Sequence, residues 1–253
     1  MARPRAPEEI ALRRGPAVLA LMVAMGLAPF AHAQRTFSES PRSGALRVKL
    51  GSYNPRSNID GEPGVTGEPY RQTFGLRGML LFELAYEYYL FQGVGAFGVG
   101  LSAGYAEKYG PATLADDPTQ TTSERTALHV FPVRLHVIYN FDYPALHWGI
   151  PLVPYLRGGI AYVPWRITKG GAVEQFDGRR GMGGRWGASG AAGLAFLLDV
   201  LEPRVAADFD SDMGVNNTFL FAEFDVLRTD LLFGGGGLNL SSHQFMFGLN
   251  LEF

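Results

Sequence analysis

The stretch Phe245-Met-Phe-Gly-Leu-Asn-Leu-Glu-Phe253 decides the fold class of this chain. Five large apolar residues occupy its odd-numbered positions, and Met246, Gly248, Asn250 and Glu252 occupy the even-numbered ones. The apolar set is Phe245, Phe247, Leu249, Leu251 and Phe253. Period-2 alternation is typical of a β-strand that separates an apolar environment from a polar one. In a soluble sheet such a stripe invites edge pairing, whereas in a closed transmembrane barrel it faces lipid and no edge remains. The stretch therefore predicts the closing strand of a membrane barrel.

The first residues indicate export. Arg3, Arg5 and Arg13-Arg14 precede an apolar run at residues 16–28, and Ala31-His32-Ala33 follows as a cleavage site with small residues. This order is typical of a secretory signal peptide, and the run is shorter than the roughly 20 residues that a spanning helix needs. We therefore predict a cleaved signal peptide at 1–33, a periplasmic segment at 34–43 and a barrel at 44–253. The alternative is an uncleaved anchor.

Composition narrows the class of protein. The chain has no cysteine, which excludes disulfides and thiolate metal sites. A net charge of −2 gives no electrostatic footprint for nucleic acid. Aromatic residues make up 13% of the chain, and 33 residues are glycine. No long apolar segment follows the signal region. This combination suits a membrane barrel, and it suits a soluble periplasmic β-sandwich equally well.

Strand-like alternation recurs along the mature chain in eight segments, near 44–53, 78–90, 94–105, 128–141, 152–167, 185–199, 217–227 and the terminal stretch. An even number of strands of about ten residues matches an antiparallel up-and-down transmembrane barrel. The connections at 54–77, 106–127, 168–184 and 228–242 are long and polar, so we expect them outside the cell, with both termini in the periplasm.

One periplasmic connection is longer than such turns usually are. Pro203 at a first helical position, with Val205, Ala206 and Phe209 at helical spacing, predicts a short amphipathic helix near 202–210.

If the apolar side chains of each strand face lipid, the side chains at the alternate positions fill the lumen. The predicted inward residues are Arg47, Lys49, Glu83, Glu87, Arg134, His136, Arg157, Glu223, Asp225 and Glu252. Buried charges are tolerated when they are paired and hydrogen-bonded, and an eight-stranded barrel is just wide enough for side chains to fill. The nearly balanced charges therefore predict a plugged, salt-bridged lumen, with a narrow continuous channel as the alternative.

Aromatic residues on the lipid parity should form girdles at the two membrane interfaces. We expect Tyr105, Tyr162, Trp165 and Trp186 in the outer girdle.

Residues for catalysis or metal binding are sparse. No histidine pair has metal-ligand spacing, and the acidic cluster Asp208-Phe-Asp210-Ser-Asp212 lacks the terminal glutamate of a calcium loop, so it predicts a solvated turn. Ser241-Ser242-His243 is the Ser–His neighbourhood of the chain, but adjacency in sequence gives no triad geometry. We expect no cofactor, no metal and no enzyme activity, with a lipid-modifying enzyme at the membrane edge as an alternative.

Four stretches carry a family resemblance, at residues 98–108, at 141–143 with 149–155, at 197–204 and in the terminal strand. Through them the chain resembles the small eight-stranded outer-membrane proteins grouped around the OmpA transmembrane domain and OmpW, and more narrowly the outer-membrane β-barrel proteins predicted in myxobacteria. The resemblance implies a porin-like barrel in the cell envelope of a Gram-negative bacterium. It also implies that Phe245, Phe247, Leu249, Leu251 and Phe253 form the signal read by the barrel-assembly machinery.

Together these inferences predict an outer-membrane barrel with a structural or surface-interaction role. The expected partners are outer-membrane lipid and, during biogenesis, the barrel-assembly machinery. We expect no nucleic acid partner and a monomer. The alternative role is a narrow transporter for small or apolar solutes.

Overall fold

The computed structural model describes residues 42–55, 59–60, 74–75, 77–113, 121–173, 175–176, 179–229, 231 and 237–253. The predicted signal peptide and nearly all of the predicted segment 34–43 lie outside the described residues.

The described chain is mostly β-strand. In order, its strands are β1 (Gly44–Tyr53), β2 (Ile59–Asp60), β3 (Met79–Gln92), β4 (Ala96–Thr113), β5 (Thr121–Val130), β6 (Val133–Asn140), β7 (Leu152–Lys169), β8 (Ala172–Val173), β9 (Gln175–Phe176), β10 (Arg179–Arg180), β11 (Met182–Leu197), β12 (Asn217–Arg228), β13 (Gly237–Leu238) and β14 (Ser242–Glu252). The barrel wall consists of β1, β3, β4, β5 with β6, β7, β11, β12 and β14. Each wall strand pairs antiparallel with its neighbours, and β14 pairs with β1. The sheet is therefore a closed, eight-stranded, up-and-down barrel.

The fourth predicted strand is interrupted, contrary to the expectation of one strand over 128–141. The strand β5 ends at Val130 and β6 begins at Val133. Pro132 has no backbone N–H to donate, and its carbonyl instead accepts from Gly104 N at 2.8 Å. Phe131 N donates to the carbonyl of Pro164 at 2.9 Å, so both sides of the break remain attached to the wall.

The connection predicted at 106–127 is largely strand. Residues of β4 and β5 pair from Ala106 with Val130 out to Thr113 with Thr121. This hairpin extends the wall at its outer end, where polar residues such as Glu107, Lys108 and Arg125 interrupt the apolar alternation of the sequence.

Among the described residues, two α-helices and a 3-10 turn (Leu198–Val200) lie at the end of the barrel that is predicted to face the periplasm, called the periplasmic end below. The helix α1 (Tyr143–Trp148) occupies a connection in which no helix was predicted. The helix α2 (Pro203–Met213) confirms the predicted short helix, with Pro203 in its first turn. Gly214 ends α2 in the left-handed conformation at φ 69°, and its N–H reaches Asp210 O and Phe209 O. No helix of the described residues is both long and apolar enough to cross a membrane.

The wall has an apolar outer surface. Along β3, buried residues alternate with exposed ones, and the exposed set includes Leu80, Phe82, Leu84 and Tyr86. The same alternation places Phe245, Phe247 and Leu249 of β14 outward. A closed ring with large apolar side chains outside is the arrangement of a membrane barrel, and it replaces the sandwich alternative, whose sheets have free edges.

Candidate functional site: the barrel lumen

The centre of the lumen is a layer of buried charges. Lys49 of β1 lies directly across from Glu83 of β3, and their side chains form an ion pair in which both are fully buried. The Lys49 Nζ is also 3.5 Å from Oε1 of Glu223. One ammonium group therefore lies between two carboxylates that come from strands on either side of it.

Two arginines from the facing wall complete the pairing of these carboxylates. Arg134 donates to Asp225 at 2.5 Å, and its Nε lies 3.6 Å from Glu83. Arg157 donates to Glu223 at 2.5 Å, and Glu223 also accepts from the hydroxyl of Tyr155 at 2.8 Å. Each carboxylate thus has at least one guanidinium partner, as burial of charge requires.

Arg47 lies on the same face of β1 as Lys49, two residues nearer the periplasmic end. Its guanidinium donates to Glu87 at 2.9 Å and to Asn140 at 3.1 Å. The same group lies 4.5 Å from the ring centroid of Tyr155. The imidazole of His136 is 3.5 Å from Glu87. The inward residues predicted from the alternation are thus brought together, apart from Glu252.

Glu252 belongs to a separate cluster at the periplasmic rim. It accepts from Tyr89 at 2.6 Å and from Asn217 at 3.2 Å, and it lies 3.4 Å from Arg42. Arg42 also pairs with Asp142 at 2.6 Å. Burial alone lowers the pKa of Arg42, but the attraction of Glu252 and Asp142 outweighs burial and holds that pKa above its ordinary value. Arg42 and Asp142 lie outside the alternating segments, so the strand pattern could not identify them.

The outer mouth of the lumen is apolar, which the sequence reasoning missed. The buried side chains there are Tyr53, Met79, Leu81, Ala106, Leu128, Val130, Ala161, Val163, Leu227, Leu240 and Met246. Leu240 comes from the connection between β12 and β14, which folds back into the mouth. The Tyr53 hydroxyl donates to Leu240 O at 2.5 Å, and Leu240 N donates to Thr229 Oγ1 at 3.0 Å. Leu238 and Leu240 alternate, and this short alternation was the signal in a segment predicted only as a polar loop.

The periplasmic end of the lumen is also filled by apolar side chains. This cluster contains Ile138, Ala145, Val153, Tyr155, Ala195, Leu197, Phe219 and Phe221, and Ala145 belongs to α1. The lumen therefore has three layers, apolar at the mouth, charged at the centre and apolar towards the base, where the cluster of Glu252 and Arg42 forms the rim.

Residues without large side chains leave room for these groups. A Cβ at Gly193 would overlap the ring of Tyr155.

A cavity of about 10 Å³ remains between the charge layer and the wall formed by β7 and β11. Its lining is Arg134, His136, Arg157, Gly158, Ser189, Gly190, Ala191 and Asp225. Such a volume holds about one water molecule, which suits the nearby Arg157 Nε, an atom with no hydrogen-bond partner among the described residues.

The terminal strand closes the wall. Phe253 N donates to Gly44 O at 3.0 Å, and Phe253 O accepts from Gly44 N at 2.9 Å. The ring of Phe253 lies 6.1 Å from that of Tyr86, on the outer face of the barrel. The five residues predicted as an assembly signal therefore form the outer stripe of β14 and its last backbone contact with β1.

The neighbourhood Ser241-Ser242-His243 is not arranged as a nucleophile with its base. Ser242 is buried in the lumen, and its hydroxyl lies 3.4 Å from Gln244. His243 follows on the exposed face of β14, so the two side chains point to opposite sides of the wall. Asp208, Asp210 and Asp212 lie in α2 and not in the predicted turn. Among the described residues, no group of three or more acidic or histidine side chains could hold a metal ion.

No protein-family model and no curated protein matches this sequence. Solved structures do match. Ail, the attachment invasion locus protein of Yersinia pestis in complex with the heparin analogue sucrose octasulfate, is 13% identical over 83% of this chain and 99% of its own, with a TM-score of 0.41. OprG of Pseudomonas aeruginosa is 12% identical over 85% of this chain and 98% of its own, with a TM-score of 0.41. Outer membrane protein W of E. coli is 15% identical over 86% of this chain and 100% of its own, with a TM-score of 0.36. These are similarities of fold alone, and the barrel architecture rests on the strand pairings described above.

Proposed function

We propose that this chain is a structural or surface-interaction protein of the Gram-negative outer membrane, with a lumen that conducts no solute. The observation that carries the proposal is the filling of the lumen in three successive layers. A hydrated ion entering from outside would meet Leu81, Leu240 and Met246, which are fully buried in the apolar mouth. Stripping an ion of water in such surroundings costs far more than thermal energy supplies.

The charge layer supports the same conclusion. Its cations and carboxylates are paired with each other at distances such as 2.5 Å for Arg134 with Asp225 and 2.9 Å for Arg47 with Glu87. An ion passing through this layer would have to break such charge-assisted contacts. A narrow channel is the weaker hypothesis, because a cavity of about 10 Å³ beside this layer admits one water.

The outer face of the wall supports the proposed location. A surface of residues such as Leu84, Leu135 and Leu156 is exposed outward, and in a bilayer lipid covers it. The predicted signal peptide at 1–33 would deliver the chain to the periplasm, and the outer stripe of β14 would present it to the barrel-assembly machinery. A closed ring leaves no free sheet edge, so the barrel needs no second copy, which favours a monomer.

A lipid-modifying activity has less support. Ser242 and His243 lie on opposite faces of β14 and cannot act on one substrate together. The proposal therefore places the working surface of the protein in its outer strand ends and loops.

Labelling of single cysteines in intact cells tests the location and orientation, because the chain has no cysteine of its own. Ala172 is exposed beyond the outer end of β7, and Ser211 is exposed on α2. With a membrane-impermeant maleimide, we expect the Ala172→Cys variant to be labelled in intact cells. The Ser211→Cys variant should react only after the outer membrane is permeabilised. Labelling of Ser211→Cys in intact cells, or recovery of the protein free of membrane, would contradict the proposal.

A further inference from the structure

A groove of about 510 Å³ crosses the outer surface of the wall where the break between β5 and β6 faces β7 and β11. We call it the Arg166 groove. Its lining residues are Phe131, Tyr162, Pro164, Trp165, Arg166, Met182, Gly183 and Gly184. It opens on the membrane-facing side of the barrel, and Trp165, which was predicted in the outer girdle, also packs against the apolar cluster of the mouth.

The strand register explains why the wall is hollow here. Tyr162, Pro164 and Arg166 share the outward face of β7, and they pair with Trp186, Gly184 and Met182 of β11. Gly184 presents no side chain opposite Pro164. A Cβ at Gly184 would overlap the hydroxyl of Tyr162, so a larger residue there would displace the ring that forms one end of the groove.

The groove lies at the outer membrane interface. Tyr162 and Trp186 contact each other with tilted rings whose centroids are 4.8 Å apart, and aromatic side chains are typical of the level where lipid tails meet headgroups. Arg166 is four residues further out on β7. With about 3.3 Å per residue along a strand tilted by roughly 45°, its Cα lies roughly 9 Å further from the membrane centre. That height corresponds to the headgroups.

The charge at this end of the groove is positive. Arg166 is exposed, and its guanidinium lies 5.6 Å from the ring centroid of Phe131. No ion pair joins Arg166 to an acidic side chain within the part of the chain that the structure describes. The nearby acid Glu107 accepts from Tyr105 at 2.6 Å and lies 3.6 Å from His129. Glu107 is not among the residues that line the groove, whereas Arg166 is.

A second outer groove, at the seam between β1 and β14, provides a contrast. Its volume is about 560 Å³, and its lining is Leu50, Gly51, Ser52, Asn54, Leu80, His243, Gln244, Phe245 and Phe247. It is apolar and similar in size, but no lysine or arginine is among these lining residues. Both grooves can accept an acyl chain, and only the Arg166 groove has a permanent positive charge at headgroup level.

We propose that the Arg166 groove is a binding site for an anionic, phosphate-bearing lipid of the outer leaflet. The guanidinium of Arg166 donates hydrogen bonds to the phosphate, in the geometry that arginine makes with such groups. Tyr162 and Pro164 contact the acyl chain, which lies over Gly184. The site depends on the proposed membrane location, because only an embedded barrel exposes this groove to lipid.

Native mass spectrometry of the refolded full-length mature barrel tests the proposal, with titrations of lipid A and of zwitterionic phosphatidylcholine. A Lys or Arg near an anionic lipid surface contributes about 1 kcal/mol, or about five-fold in affinity. We therefore expect lipid A to bind more tightly than phosphatidylcholine, and the Arg166→Gln variant to lose about five-fold in affinity for lipid A alone. The matched control is Arg204→Gln, which removes an exposed arginine from α2 and should leave binding unchanged.

The Arg166→Lys variant keeps the charge but not the forked donor, so it should retain part of the preference. Heat-modifiable migration on gels shows whether each variant is folded, and only folded samples are compared. Equal binding of lipid A by the wild-type, Arg166→Gln and Arg204→Gln proteins would overturn the proposal, as would equal binding of lipid A and phosphatidylcholine by the wild type. Either result would leave the barrel and its location untouched, since cysteine labelling tests those separately.

Discussion

Replacing Lys49 by methionine tests whether the charge layer stabilises the barrel through pairing. The side chain of Lys49 is fully buried, forms an ion pair with Glu83 across the β1–β3 ladder, and has Glu223 at 3.5 Å. Methionine keeps most of the volume but leaves these carboxylates with less positive charge. Removing one partner of a buried ion pair typically destabilises a protein by about 3–5 kcal/mol.

The remaining contacts place the expected loss at the lower end of that range. In the Lys49→Met variant, Glu83 keeps Arg134 at 3.6 Å, and Glu223 keeps Arg157 at 2.5 Å. We expect the free energy of unfolding to fall by about 3 kcal/mol. The double variant Lys49→Met with Glu83→Gln removes both charges of the closest pair, so it should be more stable than Lys49→Met alone.

Urea titration of the barrel folded in lipid vesicles measures these differences, with the fluorescence of the three tryptophans as the signal. The control Arg204→Met removes an exposed cation from α2 and should change the free energy of unfolding by no more than about 0.5 kcal/mol. If Lys49→Met lies within about 1 kcal/mol of the wild type, or the double variant is the less stable of the two, then water and not pairing solvates this layer, and the reasoning is wrong.

Two further substitutions test the packing of the lumen by the same titration. Leu240→Asp buries an unpaired carboxylate in the outer mouth and should lower the free energy of unfolding by about 3 kcal/mol or more, whereas Leu231→Asp, at a residue 61% exposed, should have little effect. Similar losses in the two variants would show that Leu240 does not occupy the mouth. Gly193→Leu should destabilise by about 1–3 kcal/mol, because its side chain must displace the ring of Tyr155. Gly158→Ala, where no atom lies within 4 Å of the new Cβ, should change the stability much less, and the reverse order would refute the packing described here.

The strand pattern predicted most of the wall because lipid and lumen impose opposite demands on alternate residues. The alternation alone predicted that Lys49, Glu83 and Arg134 face inward, where the structure has them. The alternation does not specify which charged side chains pair with each other. Arg134 pairs with Asp225, which is 91 residues away, and that contact depends on how the ring closes and how its strands are staggered.

The remaining features were missed because they lie outside the long alternating segments. The outer ends of β4 and β5 pair with each other although polar residues such as Glu107, Lys108 and Arg125 interrupt the apolar alternation there. Leu240 enters the mouth from a connection, and Arg42 reaches Asp142 from just before β1. Such contacts depend on the three-dimensional path of the connections, which local periodicity does not encode.

Single-channel conductance of the refolded wild-type barrel in a planar bilayer tests the sealed lumen most directly. Heat-modifiable migration first establishes that the sample is folded. The account predicts no steady openings, because the apolar mouth formed around Leu240 and the paired charges around Lys49 leave no continuous path for an ion. Reproducible openings of uniform size from the folded barrel would contradict the account and make transport its function.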